Sequence, residues 1–277
     1  MNRLRALFLL PAWAFTLLLF LGPLLIIVVY SLETKGVYGG VVPPWTLENY
    51  VRLFDPLYGV ILLRSFLMAA VSTLGCLALA FPLAYYIARS GRRKTLLLNL
   101  VMLPFWTSFL VRTYAWMFLL RDTGLINSAL LAAGLITEPL PLLYNDSAVI
   151  VGLIYGYLPF AVLPLYSNLE RLDKSLLEAA ADLGARPWQT LLHIVLPLTA
   201  PGLRAAGVLV FIPCLGAYLT PDLLGGGKSM MIGNLVQNQF MAARNWPFGS
   251  AASLILMGVV LLAVLAWLRR REPGERL

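Results

Sequence analysis

Charge is scarce in this sequence. Of its 277 residues only 12% are charged, against about 25% in soluble domains, and 60% are hydrophobic. An excess this large means that most of the surface faces lipid rather than water. Histidine is reduced to His193. No HExxH pair, nucleophile elbow or pair of carboxylates within an apolar run is present, which removes the common zinc-enzyme and hydrolase constellations. Cysteine is limited to Cys76 and Cys214, both inside apolar runs and neither in a CxxC pair. Metal and redox motifs are therefore not expected, and both read as buried structural thiols. The net charge of +8 is not gathered into a basic stripe with interleaved aromatics, so nucleic acid is not an expected partner. The basic residues fall instead at the ends of hydrophobic runs, as they do in membrane proteins.

What the sequence has in quantity is uninterrupted apolar chain. Between Arg5 and Glu33 lie 27 uncharged residues, between Arg64 and Arg89 24, between Asp146 and Glu170 23, and between Arg244 and Arg269 24. Each exceeds the ~20 residues that a helix needs to cross the hydrocarbon. A further run follows Lys94, is interrupted by Arg112 and ends at Arg121, and another extends from Arg204 to Asp222, lengthened by 198–203. The segment 123–137 is apolar but too short to span, and reads as a helix outside the bilayer. The expected architecture is an all-α membrane protein, one domain over 1–277 with six transmembrane helices near 7–32, 65–89, 96–120, 147–169, 200–221 and 247–268. Asn2-Arg3-Leu4-Arg5 has the look of a signal-peptide n-region, but the apolar stretch behind it is too long and no small-residue cleavage site follows, so the first run is expected to be a retained helix.

Basic residues set the orientation. Arg3, Arg5, Arg89, Arg92, Arg93, Lys94, Arg171, Lys174, Arg186, Arg204, Arg269, Arg270, Arg271 and Arg276, 14 in all, fall on one side; Lys35, Arg52, Arg64, Arg112, Arg121, Lys228 and Arg244, 7 in all, fall on the other. The positive-inside rule places the larger set, and with it both termini, in the cytoplasm. The longest cytoplasmic loop is then 171–197. Within it Ser175 and Glu178 have capping-box spacing, Gly184 supplies a left-handed stop, and Pro187 is suited to open a second helix. The loop reads as helix, elbow, helix, with the small residues Ala179, Ala180 and Ala181 leaving a surface for close approach by another protein. The plain alternative is an amphipathic linker lying on the membrane.

The spacing Glu178-Ala179-Ala180, then Gly184, Ile194 and Leu196-Pro197 resembles the EAA signature of binding-protein-dependent ABC importer permeases. The resemblance implies a type I importer fold in which Glu178, Ala179, Ala180, Asp182, Gly184 and Arg186 belong to a coupling helix that docks on an ATP-hydrolysing subunit. It implies a non-catalytic chain in a bacterial inner membrane, working with a second homologous permease, two ATP-binding subunits and an extracytoplasmic binding protein. ATP and Mg would be used by the partner, with no cofactor bound by this chain. The stretches 103–131 and 219–240 are similar to the spermidine/putrescine permeases of that family, although permeases for ferric iron, sulfate, thiamine or aminoethylphosphonate share parts of these patterns.

Gly227-Lys228-Ser229 imitates the end of a phosphate loop, but Asp222 stands where the first glycine of GxxxxGK[ST] belongs and no strand precedes it, so it is not a nucleotide site. For a cationic substrate, Asp222 at the outer end of the fifth helix is the best-placed acid, and Tyr155, Tyr157, Tyr218 and Trp106 offer faces for a cation–π path; packing and interfacial anchoring are their ordinary roles. Arg112, within a span, either pairs with an acid such as Asp222 or snorkels outward. Gly152, Gly156, Pro159, Pro164 and Pro213 permit close packing and kinks. An ion-driven secondary carrier is the rival reading, but such carriers place ionisable residues at the midplane, and the second, fourth and sixth spans here hold none.

Overall fold

In a computed structural model the structure describes residues 3–269. The basic residues Arg270, Arg271 and Arg276, which entered the charge count, lie outside the described residues. The chain falls into two compact units, Met1–Ile61 with Leu235–Leu277, and Leu62–Asn234.

The first unit is built on two long apolar helices, α1 (Arg3–Ser31) and α14 (Trp246–Arg269), which pack together. Tyr30 of α1 stacks on Trp246 of α14 at 6.2 Å. After α1 the chain makes a two-stranded antiparallel ladder, β1 (Thr34–Lys35) with β2 (Val41–Val42), a small departure from an all-α expectation. The short helix α2 (Glu48–Leu53) is anchored from within: Asn49 Nδ2 donates to the Ser31 and Glu33 carbonyls at 3.1 and 2.9 Å. Arg52 lies 5.0 Å over the ring of Phe248.

The second unit is organised around α7 (Asp146–Glu170), whose face Ala148, Val149, Gly152, Leu153, Gly156, Pro159, Ala161, Val162, Leu165 and Leu169 is buried. Small residues let its neighbours approach. A Cβ on Gly75 of α3 (Pro56–Arg89) would meet the side chain of Ile154, and one on Gly202 of α11 (Ala200–Leu215) would lie 2.7 Å from Asn168. Despite Pro159 and Pro164, α7 runs unbroken, because a proline costs a helix one hydrogen bond and neighbouring helices can hold the remainder in place.

Four helical stretches are long and apolar enough to cross a membrane: Leu9–Ser31, Pro56–Arg89, Asp146–Glu170 and Trp246–Leu265. They match the first, second, fourth and sixth expected spans. The other two are not straight. Residues 96–120 divide into α4 (Lys94–Met102) with a 3-10 turn (Leu103–Trp106), and α5 (Phe109–Leu120), with a bend of 88° between the helical runs. The cause is local: Pro104 tightens the turn, and Thr107 (φ −81°, ψ 152°) is extended, so the i→i−4 ladder stops there. With 12 residues, α5 is about 18 Å long and cannot cross alone. The expected fifth span, 200–221, likewise ends at Leu215. Gly216 and Ala217 turn the chain into a separate helix, α12 (Leu219–Gly225), so Tyr218 and Asp222 are not on the spanning helix. The count is six when each bent pair is taken as one span. The apolar segment before α7 contains α6 (Leu125–Ala132), too short to span as expected, with buried Asn127 tying it to Arg121 O, Leu140 O and Leu140 N.

Candidate functional site

The loop 171–197 folds as two short helices about an elbow. The first, α8 (Lys174–Asp182), is capped by Asp173, whose carboxylate accepts from Ser175 N–H at 3.0 Å. This corrects the expected capping box: Ser175 lies inside the first turn and Glu178 makes no cap. Asp173 starts the helix two residues earlier, because a carboxylate is as good a cap as a hydroxyl. The Ser175 backbone N–H holds the Asp173 carboxyl below its ordinary value.

Gly184 has φ +77°. Gly184 N–H donates to Ala181 O at 2.9 Å and Ala185 N–H to Ala180 O at 2.9 Å, the crossed pair of bonds that closes a helix through a left-handed residue. The second helix opens at Pro187 as α9 (Pro187–Thr190), with Gln189 Oε1 accepting from Arg186 N–H at 2.8 Å. It continues through a π turn (Leu191–Val195) into α10 (Leu196–Leu198), and bends by 68° into α11 at Thr199. His193 Nδ1 lies 3.0 Å from the Gln189 carbonyl, which gives it a local structural partner.

Glu178, Ala179, Asp182, Gly184 and Arg186 are exposed, whereas Ala180 is buried. The alanine run is thus divided: Ala180 seats α8 and its neighbours face outward. Leu183 is 88% exposed at the elbow, joined by Leu176, Trp188 and Leu192. A shallow cavity of about 400 Å³ opens between the arms, lined by Leu183, Gly184, Ala185, Gln189, Thr190, His193 and Ile194. The elbow thus carries charged and apolar side chains outward together.

The candidate cation-path residues do not form one group. Trp106, 84% exposed, ends the 3-10 turn. Tyr218 precedes α12 and exposed Asp222 sits in its first turn. Tyr155 packs edge-on to Trp116 at 5.5 Å. Tyr157 donates to Pro213 O at 3.3 Å and packs with Phe109 and Phe160. Neither alternative for Arg112 holds: it is buried, with its guanidinium over the rings of Phe105 (5.2 Å) and Phe109 (5.5 Å). It neither pairs with Asp222 nor snorkels, because the break before α5 folds Phe105 back across it.

The Gly227-Lys228-Ser229 stretch is a turn, not a phosphate cradle. Gly226 and Gly227 have φ +56° and +78°, and Lys228 is exposed. A Cβ on Gly226 would run into the Tyr144 ring. Ser229 is buried and hydrogen-bonds the Asp146 carboxylate, which Arg64 Nη2 also holds at 2.6 and 2.8 Å. Ile232 N–H completes the attachment by donating to Ser65 Oγ at 2.7 Å. Sequence reasoning used Arg64 and Asp146 only as span boundaries. The signal available was a lone acid and a lone arginine, each adjoining an apolar run on the same side. At the opposite end of α7, Glu170 pairs with Lys94 at the start of α4.

Comparison with known proteins places the chain in a family. Residues 60–272 match the family model for the binding-protein-dependent transport system inner membrane component. The chain is 46% identical over 244 residues to the spermidine/putrescine transport system permease protein PotB of Escherichia coli (strain K12), covering 87% of this chain and 89% of that protein. It is 40% identical over 255 residues to PotB of Haemophilus influenzae, covering 92% and 89%. A chain in the crystal structure of a bacterial alginate ABC transporter, in complex with alginate pentasaccharide-bound periplasmic protein, superposes with a TM-score of 0.72 at 20% identity, covering 95% of this chain and 91% of that one.

Proposed function

Since this chain belongs to the family of binding-protein-dependent transport system inner membrane components, we propose that it is one permease of an ATP-driven importer for polyamines such as spermidine and putrescine. The observation that carries the substrate is the 46% identity to the spermidine/putrescine permease protein over 87% of the chain. The working assembly pairs it with a second homologous permease, two ATP-binding subunits and an extracytoplasmic binding protein, with both termini in the cytoplasm. ATP and Mg are handled by the ATP-binding subunits, and this chain is the conduit.

Glu178, Ala179, Asp182, Gly184 and Arg186 present the docking face of the elbow, and Ala180 is the buried residue behind it. Closure of the ATP-binding subunits would pull on α8, and the continuous arm from Pro187 to Leu198 would carry that displacement to α11 across the bend at Thr199. A pair of bent spans suits alternating access, because discontinuous helices are where membrane transporters place their moving parts. Asp222 and Tyr218 offer a carboxylate and a ring face at the outer entrance, with Trp106, Tyr155 and Tyr157 as further faces for a cation held weakly enough to pass on.

The test is uptake of radiolabelled spermidine and putrescine into proteoliposomes of the complete transporter, with ATP inside and the binding protein outside. ATP-dependent accumulation is expected. ATP hydrolysis that answers to the binding protein without polyamine uptake would retain the importer and remove the substrate; uptake without the ATP-binding subunits would make the chain an ion-driven carrier.

A further inference from the structure

Arg112 is the one charged side chain buried among the described residues, at 8% exposure. It stands in the first turn of α5, within a broken membrane span. Its Nε has no hydrogen-bond partner, and no carboxylate among the described residues makes an ion pair with it. A leucine would fill the same place at less cost, since intramembrane charge is expensive and is kept where it works. Its company is aromatic. The guanidinium covers Phe105 from before the break and Phe109 from after it. Phe160 stands edge-on to Phe105 at 5.2 Å, and Tyr157 lies 6.2 Å from Phe109 and 6.1 Å from Phe160. Phe109 is set flat against α7 by Gly156, where a Cβ would come within 2.9 Å of its ring. Two rings, one from the 3-10 turn and one from α5, thus face one organic cation, two more from α7 back those rings, and that cation is tethered to the chain.

We propose that Phe105 and Phe109, walled by Tyr157 and Phe160, form a subsite for an alkylammonium group, and that Arg112 is its built-in competitor, occupying the ring faces until substrate displaces it. A ring face attracts any cation through the same quadrupole, so a primary ammonium and the guanidinium exclude one another there. The device prevents tight trapping: an ammonium that enters is pushed out by a cation always present at the site. The ammonium as natural ligand rests on the polyamine reading above; the competition itself does not.

The experiment is equilibrium binding of radiolabelled putrescine, and separately of tetramethylammonium, to the complete transporter in nanodiscs without ATP or binding protein. Arg112→Met, which keeps bulk and removes charge, is expected to raise affinity for both on the order of tenfold. Arg112→Lys, a weaker stacker than arginine, is expected to raise it about threefold, and Phe105→Leu in the Arg112→Met background to abolish the gain. Where the methionine variant does not assemble, the lysine variant decides. Unchanged affinity in the variants overturns the proposal and leaves Arg112 as a brace for the bend. If the wild-type complex takes up no polyamine while Arg112→Met still gains affinity for tetramethylammonium, the polyamine reading fails and the subsite stands. If uptake is normal and no variant gains affinity, the subsite falls and the polyamine reading stands.

Discussion

One carboxylate, Asp146, holds the start of α7, the start of the apolar run in α3 and the turn after α12 in one arrangement, through Arg64 and Ser229. It also stands at a helix N-terminus, where a negative charge is favoured. Asp146→Ala removes two bonds from Arg64 and leaves the buried Ser229 hydroxyl without its acceptor. The ion pair is half-exposed, so its own share is small; with the lost hydroxyl bond the expected destabilisation is about 1–2 kcal/mol. A lowered thermal midpoint of the purified protein in detergent is the measurement. Asp146→Asn, which keeps an acceptor for Ser229, should lose less than half as much. The coupling in a cycle with Arg64→Ala should be about 0.5 kcal/mol or more; a zero coupling would mean that the pair does not hold in solution. Neither residue announced this role in the sequence, because 82 positions separate them and a lone charge beside an apolar run is also what a plain span boundary looks like.

At the scale of elements, Gly184 and Asp173 decide whether α8 is a rigid body. No atom lies within 4 Å of a Cβ placed on Gly184, so a substitution there acts through backbone strain alone. Gly184→Val should cost about 1–2 kcal/mol of elbow stability, reach the membrane normally, and lower transport while ATP hydrolysis continues; Gly184→Asn, tolerant of the left-handed region, should retain most uptake. Equal activity in all three proteins would count against the elbow as the coupling element. Asp173 carries the pH dependence. Its carboxyl titrates lower in the folded helix than in the unfolded chain, so the cap's contribution is complete above the unfolded value near 3.9. It is lost as pH falls through the lowered folded value. Asp173→Ala should speed amide exchange in the first turn of α8 at neutral pH, whereas Asp173→Asn should not, and should remove the acid dependence. The elbow was legible in the sequence because glycine after a helix and proline at the opening of the next are local signals. The breaks at Thr107 and at 216–217 were not. Hydropathy responds to the apolar content of residues 96–120 and 200–221, and that content is the same for a straight helix and for one folded back at 88°.

For the whole molecule, the membrane topology orders the remaining parts. The elbow serves as a docking face only if it lies on the opposite side of the membrane from Lys228, whose turn is held to Asp146 by Ser229. A crossing between Trp188 and Lys228 has to be made by α11, of 16 residues, with the bent arm before it. That is about 24 Å of helix, slightly less than the ~30 Å hydrocarbon core, so a crossing here requires the bent arm before Thr199 to supply the missing depth. Both positions are exposed, and the native thiols Cys76 and Cys214 are fully buried, so an introduced cysteine can be labelled against a quiet background. Trp188→Cys should react with a membrane-impermeant maleimide only in inside-out vesicles, and Lys228→Cys only in intact spheroplasts. Labelling of both from one side would make α11 and the arm before it a re-entrant hairpin rather than a span. The elbow would then share a compartment with the Gly227 turn, and a coupling role for Glu178, Asp182 and Arg186 could not stand. Labelling from opposite sides, with Trp188 inside, would place those side chains where ATP is available and Asp222 where a binding protein delivers its load.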